Sequence, residues 1–167
     1  KGKRMRPMLT LMAAEMFGAE AETALPAALG IEVFHNFTLL HDDIMDHAPI
    51  RRNEPTVHEK WNVNTAILSG DVMLVKAYQL VASVAQEVAV HAVKHFSETA
   101  VLVCEGQQSD MDLAERAEVT TDEYLAMIEK KTAVLLGCSL RLGAMCAGAA
   151  EPDQRNLYEF GKHMGIA

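Results

Sequence analysis

The stretch Leu29-Gly30-Ile31-Glu32-Val33-Phe34-His35-Asn36-Phe37-Thr38-Leu39-Leu40-His41-Asp42-Asp43-Ile44-Met45-Asp46 decides the fold. Leu29, Val33, Phe37, Leu40 and Ile44 recur at steps of four and three, the period of an amphipathic helix. Pro26 at one side and Pro49 at the other bound it, so a helix is predicted over about 26–46.

Outward from that segment the pattern stays helical. Prolines at 7, 26, 49, 55 and 152 leave 96 consecutive residues, 56–151, without one, in a stretch rich in Ala, Leu, Met, Glu and Val. A first helix is predicted over 7–17, with Gly18 as its stop. Residues 48–55 read as a basic loop, and helices follow near 65–85 and over 88–115, the latter broken around Gly106. Thr120 with Glu123 is a capping-box signature for a helix over 121–148, and Glu151-Pro152-Asp153 opens a last one. No alternating run flanked by glycine or asparagine turns signals a hairpin. The expected fold class is all-α, a single helical bundle with no linker and no internal repeat.

Composition narrows the function. With 50% hydrophobic and 23% charged residues, the 167-residue chain has the means to bury a core, which excludes a disordered or collagenous segment. A net charge of −8 opposes binding to nucleic acid and to anionic membranes, so any bound anion must be held by local basic groups. Cys104, Cys138 and Cys146 lack the close pairing of a zinc knuckle and read as reduced core residues of a cytoplasmic protein. The most apolar stretch, 132–150, is interrupted by Arg141 and three glycines and does not read as a transmembrane segment, and no stretch reads as a signal peptide. The chain opens at Lys1 and closes on Gly165-Ile166-Ala167 in mid-pattern, the expectation being a domain over 1–167 that is truncated at both ends.

The chemistry concentrates in His41-Asp42-Asp43-Ile44-Met45-Asp46, followed by Arg51-Arg52. Three carboxylates in five residues at a helix C-terminus repel one another and oppose the helix dipole, so a cation must compensate them. Asp42 and Asp46 lie one turn apart on one face, a spacing at which hard oxygen ligands share metal ions. Mg2+ suits such a site, because it is usually held by one or two carboxylates together with substrate phosphates. His35, nearly two turns earlier, shares the stripe. A polar helix end neutralised by Arg51 and Arg52 is the alternative. A second basic cluster, Gly2-Lys3-Arg4-Met5-Arg6-Pro7, opens a helix and forms a cradle for phosphate or diphosphate. Two cationic sites beside a metal-type motif suggest two anionic substrates.

These segments, with Pro55-Thr56-Val57-His58, Gly70-Asp71, Gly106-Gln107, Lys131-Thr132-Ala133 and Gly161-x-x-x-Gly165-Ile166-Ala167, resemble the trans-isoprenyl diphosphate synthases, the polyprenyl synthetase family, in order and spacing along the whole chain. The resemblance implies a helical bundle of the isoprenoid synthase type around a deep apolar cavity. It implies a magnesium-dependent prenyltransferase that condenses isopentenyl diphosphate head-to-tail with an allylic prenyl diphosphate. Carried over by residue, Asp42 and Asp46 would bind the magnesium that bridges the allylic diphosphate, with Asp43 supporting the cluster. Arg51 and Lys131 would hold that diphosphate beside Thr132; Lys3, Arg6, His35 and Arg52 would hold isopentenyl diphosphate; and Gln107 would face the cavity. Phe37 and Thr38, five and four residues before the motif, would form the floor that limits product length, here C15 to C20. The family's homodimers imply a dimer face, for which the apolar surplus over 65–85 and 88–103 is a candidate. Ten methionines could line a prenyl tunnel, although most are expected in the core.

The family's second aspartate-rich motif follows the Gly-Ile-Ala segment, and no acidic cluster within 1–167 replaces it; Asp110 and Asp112 read as helix surface. The residues are therefore expected to be the N-terminal part of a longer synthase. Two rivals stand beside that reading. A class I terpene cyclase handles one diphosphate and leaves the Lys-Arg start and Arg51-Arg52 unexplained, and a non-catalytic subunit or fragment leaves the intact first motif unexplained.

Overall fold

The computed structural model describes residues 2–167. In chain order the elements are α1 (Met5–Met16), α2 (Ala21–Met45), the two-residue strands β1 (Ile50–Arg51) and β2 (Glu54–Pro55), α3 (Val57–Lys60), α4 (Val63–Val81), α5 (Gln86–Ala114), α6 (Thr121–Ile128), a π-helical turn (Glu129–Ala133), α7 (Val134–Cys146) and α8 (Glu151–Ile166). The all-α expectation holds. α2 packs on α1, α4 and α7, and α7 in turn is covered by α1, α5 and α8.

The centre of the bundle is apolar and aromatic. Ile31 and Phe34 of α2, Phe96 of α5 and Leu135 and Leu142 of α7 are fully enclosed. Phe34 meets Phe96 edge-on at 5.1 Å, and Tyr78 of α4 meets Phe96 in the same way at 5.0 Å, the arrangement that the ring quadrupoles favour. Helices approach closely where a glycine faces backbone. A Cβ on Gly143 would lie 2.0 Å from the Thr10 carbonyl oxygen of α1, and one on Gly161 of α8 would lie 2.6 Å from Gly137 Cα of α7.

Several boundaries differ from the sequence expectation. α2 begins at Ala21, not at Pro26, because Ala-Glu-Thr-Ala-Leu is a good helical start and Pro26 removes one main-chain donor from an otherwise intact helix. Its buried face runs through Ala24, Ala27, Ile31, Phe34 and Phe37, so Leu29, counted on the apolar stripe, is nearly half exposed. α5 passes unbroken through Gly106, whose missing side chain serves a close contact and not a helix stop. The capping box at Thr120 and Glu123 is present in both directions. The helix it opens, however, widens into the π turn before continuing to Cys146.

The expected loop over 48–55 contains a small antiparallel ladder, Ile50 opposite Pro55 and Arg51 opposite Glu54. Arg52 and Asn53 between the strands both take positive φ, 54° and 66°. That is the left-handed pair that a two-residue hairpin requires, and asparagine tolerates it best among non-glycine residues. The methionines also depart from expectation: Met127 and Met145 are buried, but Met5, Met8, Met12 and Met16 lie along one exposed side of α1. Of the cysteines, Cys138 and Cys146 are buried as expected, whereas Cys104 is exposed. No described helix is long and apolar enough to cross a membrane.

Candidate functional site

The last three turns of α2 form one wall of a cavity of about 230 Å3. His35, Thr38, Asp42 and Met45 face it at steps of three and four, as the helical period requires. Val103, Gln107 and Met111 of α5 supply the opposite wall, and Lys131, Thr132 and Leu135 close it from the π turn and α7. The walls are largely apolar, with polar groups gathered near Asp42.

Asp42 is the point of convergence. Its Oδ2 accepts from Arg51 Nη2 at 3.4 Å, and its Oδ1 lies 3.3 Å from Lys131 Nζ without hydrogen-bond alignment. Arg51 also donates from Nε to Asp43 Oδ1 at 2.6 Å. The hairpin turn makes this possible by folding Arg51 back over the end of α2. Asp43 is buried against Arg51 and does not line the cavity. Asp46 caps α2 one turn beyond Asp42, outside the cavity lining; burial first, then the charge of Asp42, pushes its carboxyl pKa up. A carboxylate whose charge is disfavoured by its own neighbour fits a cation shared between the two.

Lys131 donates to Asp110 Oδ2 at 2.5 Å. Burial disfavours its charge, but the hydrogen bond it donates to Asp110 and the field of Asp42 outweigh that, and its pKa rises. Asp110, read from sequence as helix surface, is therefore part of the site, and only its helix periodicity relative to Gln107 hinted at it. Gln107 faces the cavity as expected, with Nε2 3.8 Å from Met45 Sδ.

A second cationic cluster flanks the first. Arg6 Nη1 lies 3.3 Å from His35 Nε2, and the His35 pKa is pushed down to about 4 by burial, followed by the charges of Arg6, Arg52, Arg51 and Arg4. The ring is neutral at pH 7 and accepts from Arg6. Arg6 Nε is buried without a partner. A Cβ on Gly2 would meet the Arg52 guanidinium at 2.8 Å, so the segment before α1 lies against the hairpin arginine. Arg4 takes left-handed φ and is spent on an ion pair with Glu32, while Lys3 is exposed and stands outside the cavity lining. Gly2, Arg6, His35 and Arg52 are thus brought together, although their residues are spread over fifty positions of sequence.

Phe37 and Thr38 both line the cavity. Phe37 is 8% exposed and stacks edge-on against His41 at 4.8 Å, so it is core and cavity wall at once. His41 has a role that its place in the motif did not reveal. Its Nε2 sits 3.3 Å from the Ile67 carbonyl of α4, and a Cβ on Gly70 would lie 2.1 Å from the same nitrogen. Gly70 leaves room for the ring that carries Asp42's neighbour. Among the described residues no three His, Cys, Asp or Glu side chains converge as a ready metal cage. A larger, more polar cleft of about 510 Å3 lies between α5, α7 and α8, where Glu87, Glu98 and Glu151 face Lys94 and Arg141. Asp42 does not line it, and its lining is less apolar.

Comparison with known proteins gives a consistent result. A family model described as polyprenyl synthetase matches residues 1–167. The chain is 44% identical over 167 residues to a geranylgeranyl diphosphate synthase of Methanosarcina mazei, covering 99% of this chain and 52% of that protein. It is 39% identical over 166 residues to a (2E,6E)-farnesyl diphosphate synthase of Mycobacterium bovis, covering 99% of this chain and 46% of that protein. A crystal structure of a geranylgeranyl pyrophosphate synthase superposes with a TM-score of 0.96 at 54% identity, over 99% of this chain and 51% of that one. The chain spans about half the length of the curated relatives it matches.

Proposed function

This chain belongs to the polyprenyl synthetase family, and on that premise we propose that the full-length protein is a trans-prenyltransferase condensing isopentenyl diphosphate with an allylic prenyl diphosphate. Residues 1–167 are read as the N-terminal part of one all-α synthase domain. The observation that carries the reading is Asp42, flanked by Arg51 at 3.4 Å and Lys131 at 3.3 Å at the edge of an apolar cavity. It supplies an anchor for diphosphate and a dry chamber for a hydrocarbon tail in one place.

Asp42 and Asp46 are the residues that would hold magnesium, and the raised Asp46 pKa and the unaligned Asp42 Oδ1 support that assignment. Magnesium, when bound, offsets the negative charge that builds on a departing diphosphate. Arg51 and Lys131 add to that neutralisation and orient the allylic diphosphate, with Thr132 beside it and Gln107 across the cavity. Lys3, Arg6, His35 and Arg52 hold isopentenyl diphosphate so that its double bond faces the allylic carbon. The cavity walls exclude water from the carbocation until the new carbon–carbon bond forms and a proton is lost to the released diphosphate. No side-chain nucleophile is needed.

Phe37 and Thr38 set the depth available to the tail, supporting a C15 to C20 product, the range that the names of the relatives span. A homodimer in the cytoplasm is proposed, supported by an exposed apolar face on α4, where Leu68, Val72 and Val75 are each more than half exposed. The test is condensation by the full-length protein of labelled isopentenyl diphosphate with geranyl diphosphate and Mg2+. A labelled C15 or C20 diphosphate is expected. Turnover of geranyl diphosphate without isopentenyl diphosphate would mean a cyclase, and binding without turnover a non-catalytic subunit.

A further inference from the structure

The π turn is held from two neighbouring helices. From Glu129 to Lys131, each successive residue is tied to another helix: Glu129 accepts from Lys162 of α8 at 2.8 Å, Lys130 donates to Glu105 of α5 at 2.8 Å, and Lys131 donates to Asp110 of α5 at 2.5 Å. Backbone meets backbone on the α5 side. A Cβ on Gly106 would lie 2.3 Å from Lys131 N and 2.7 Å from Lys130 C and Lys131 Cα. None of those atoms can yield as the tip of a flexible side chain would. A π turn widens the helix by one residue and redirects the side chains that follow, and such turns recur at functional sites.

Gly106 and Asp110 are four residues apart and therefore lie one above the other on a single face of α5. The first receives the backbone of Lys131 and the second its amine, so the side chain spans the distance between two fixed points. Its Nζ then lies 3.3 Å from Asp42. A lysine carries several rotatable bonds and loses appreciable entropy when ordered. A seat that fixes both ends before substrate arrives removes that cost from the binding step.

We propose that Gly106 and Asp110 form a seat on α5 that positions Lys131 at the aspartate motif, the glycine by admitting the π turn and the carboxylate by holding the amine. Both are positioning residues that act through Lys131. The consequence for catalysis rests on the function proposed above; the seat itself does not.

The experiment uses the full-length protein with its lysines 13C-dimethylated and the Lys131 resonance assigned from a Lys131→Arg variant. Gly106→Ala and Asp110→Asn are each expected to move that resonance. Each is also expected to raise KM for geranyl diphosphate about tenfold while leaving KM for isopentenyl diphosphate within about twofold. Asp110→Asn leaves the backbone contact untouched and decides the matter even if Gly106→Ala does not fold. A wild-type Lys131 resonance in Asp110→Asn overturns the proposal. So does a loss shared equally by both substrates with the resonance unmoved, which is the mark of general destabilisation. Absence of synthase turnover in the unmutated protein would sink the proposed function, while the Lys131 resonance would still report on the seat.

Discussion

The crossing of α7 on α8 and the end of α2 are both built from contacts of a few ångströms, yet the two are made of opposite materials. At the crossing, Gly137 faces Gly161 and Gly165 faces Ala133 at the end of the π turn, with backbone nearly touching backbone, and the ion pair between α7 and α8, Arg141 with Glu151, lies at its partly exposed rim. At the end of α2, Asp42, Asp43 and Asp46 crowd within five residues and are answered by Arg51 and Lys131 from elsewhere in the chain. Removing atoms from the first leaves it much as it is, and adding them breaks it. The second depends on charge: losing Asp42 removes a carboxylate that Arg51 and Lys131 both face, while the packed apolar centre of the bundle is untouched. Close backbone packing thus dominates the first region and charge pairing the second, and the charged end of α2 is held in place by the helices packed around it.

Four substitutions or conditions test that division, in descending order of expected effect. Asp42→Ala should reduce condensation by on the order of 1000-fold with a melting temperature close to the parent's; calorimetry beside the labelled-substrate assay checks both, and full turnover at matched magnesium would remove Asp42 from the metal site. Gly161→Val should do the reverse, costing about 3 kcal/mol of stability with near-parental turnover per folded molecule, as read from urea unfolding and active-site titration. The third test is acid stability, to which two histidines contribute. His35 beside Arg6 and His95, buried in α5 against Tyr158, each have a pKa pushed down to about 4, chiefly by burial and then by Arg6 and Arg141 respectively. The unfolded rings bind their protons near pH 6.5, so between roughly 6.5 and 4 the unfolded state holds more protons than the folded one. Stability should therefore fall as pH is lowered through that window, by up to about 3 kcal/mol for each ring, and a His95→Gln variant should remove about half of the slope. Smallest in rate is Phe37→Ala, which should lengthen the product by one or two isoprene steps with little loss of turnover. An unchanged product distribution by chromatography would make Phe37 a core residue alone.

The charged half of this comparison was legible in the sequence, and the glycine half was not. Asp42, Asp46 and the paired arginines announce themselves because like charges at helical spacing carry an electrostatic penalty that any reader can see. His35 follows from periodicity once α2 is placed, whereas Thr38 and Gln107 are legible only through the family resemblance. Gly106, by contrast, reads locally as a helix break, and only the neighbouring π turn shows why no side chain fits there. The π turn itself leaves no trace in composition, since one extra residue in a helical turn is a matter of phase. Asp110 reads locally as helix surface, because its partner lies 21 residues away and its orientation toward Lys131 depends on a helix crossing. The hairpin escaped because its turn is Arg-Asn, one residue short of the usual asparagine-glycine signature.

That hairpin has a consequence for how the site could change by descent. Arg51 ends the strand β1 and Arg52 opens the left-handed turn after it, and this change of backbone conformation sends two adjacent guanidinium groups to different neighbours: Arg51 to the carboxylates, Arg52 to the segment at Gly2. Inserting or deleting a single residue between Pro49 and Arg51 would shift both guanidinium groups relative to those neighbours in one step. Both contacts are then lost together, so the spacing from Asp46 to Arg52 is expected to be inherited as a block, with length preserved even where the intervening letters drift.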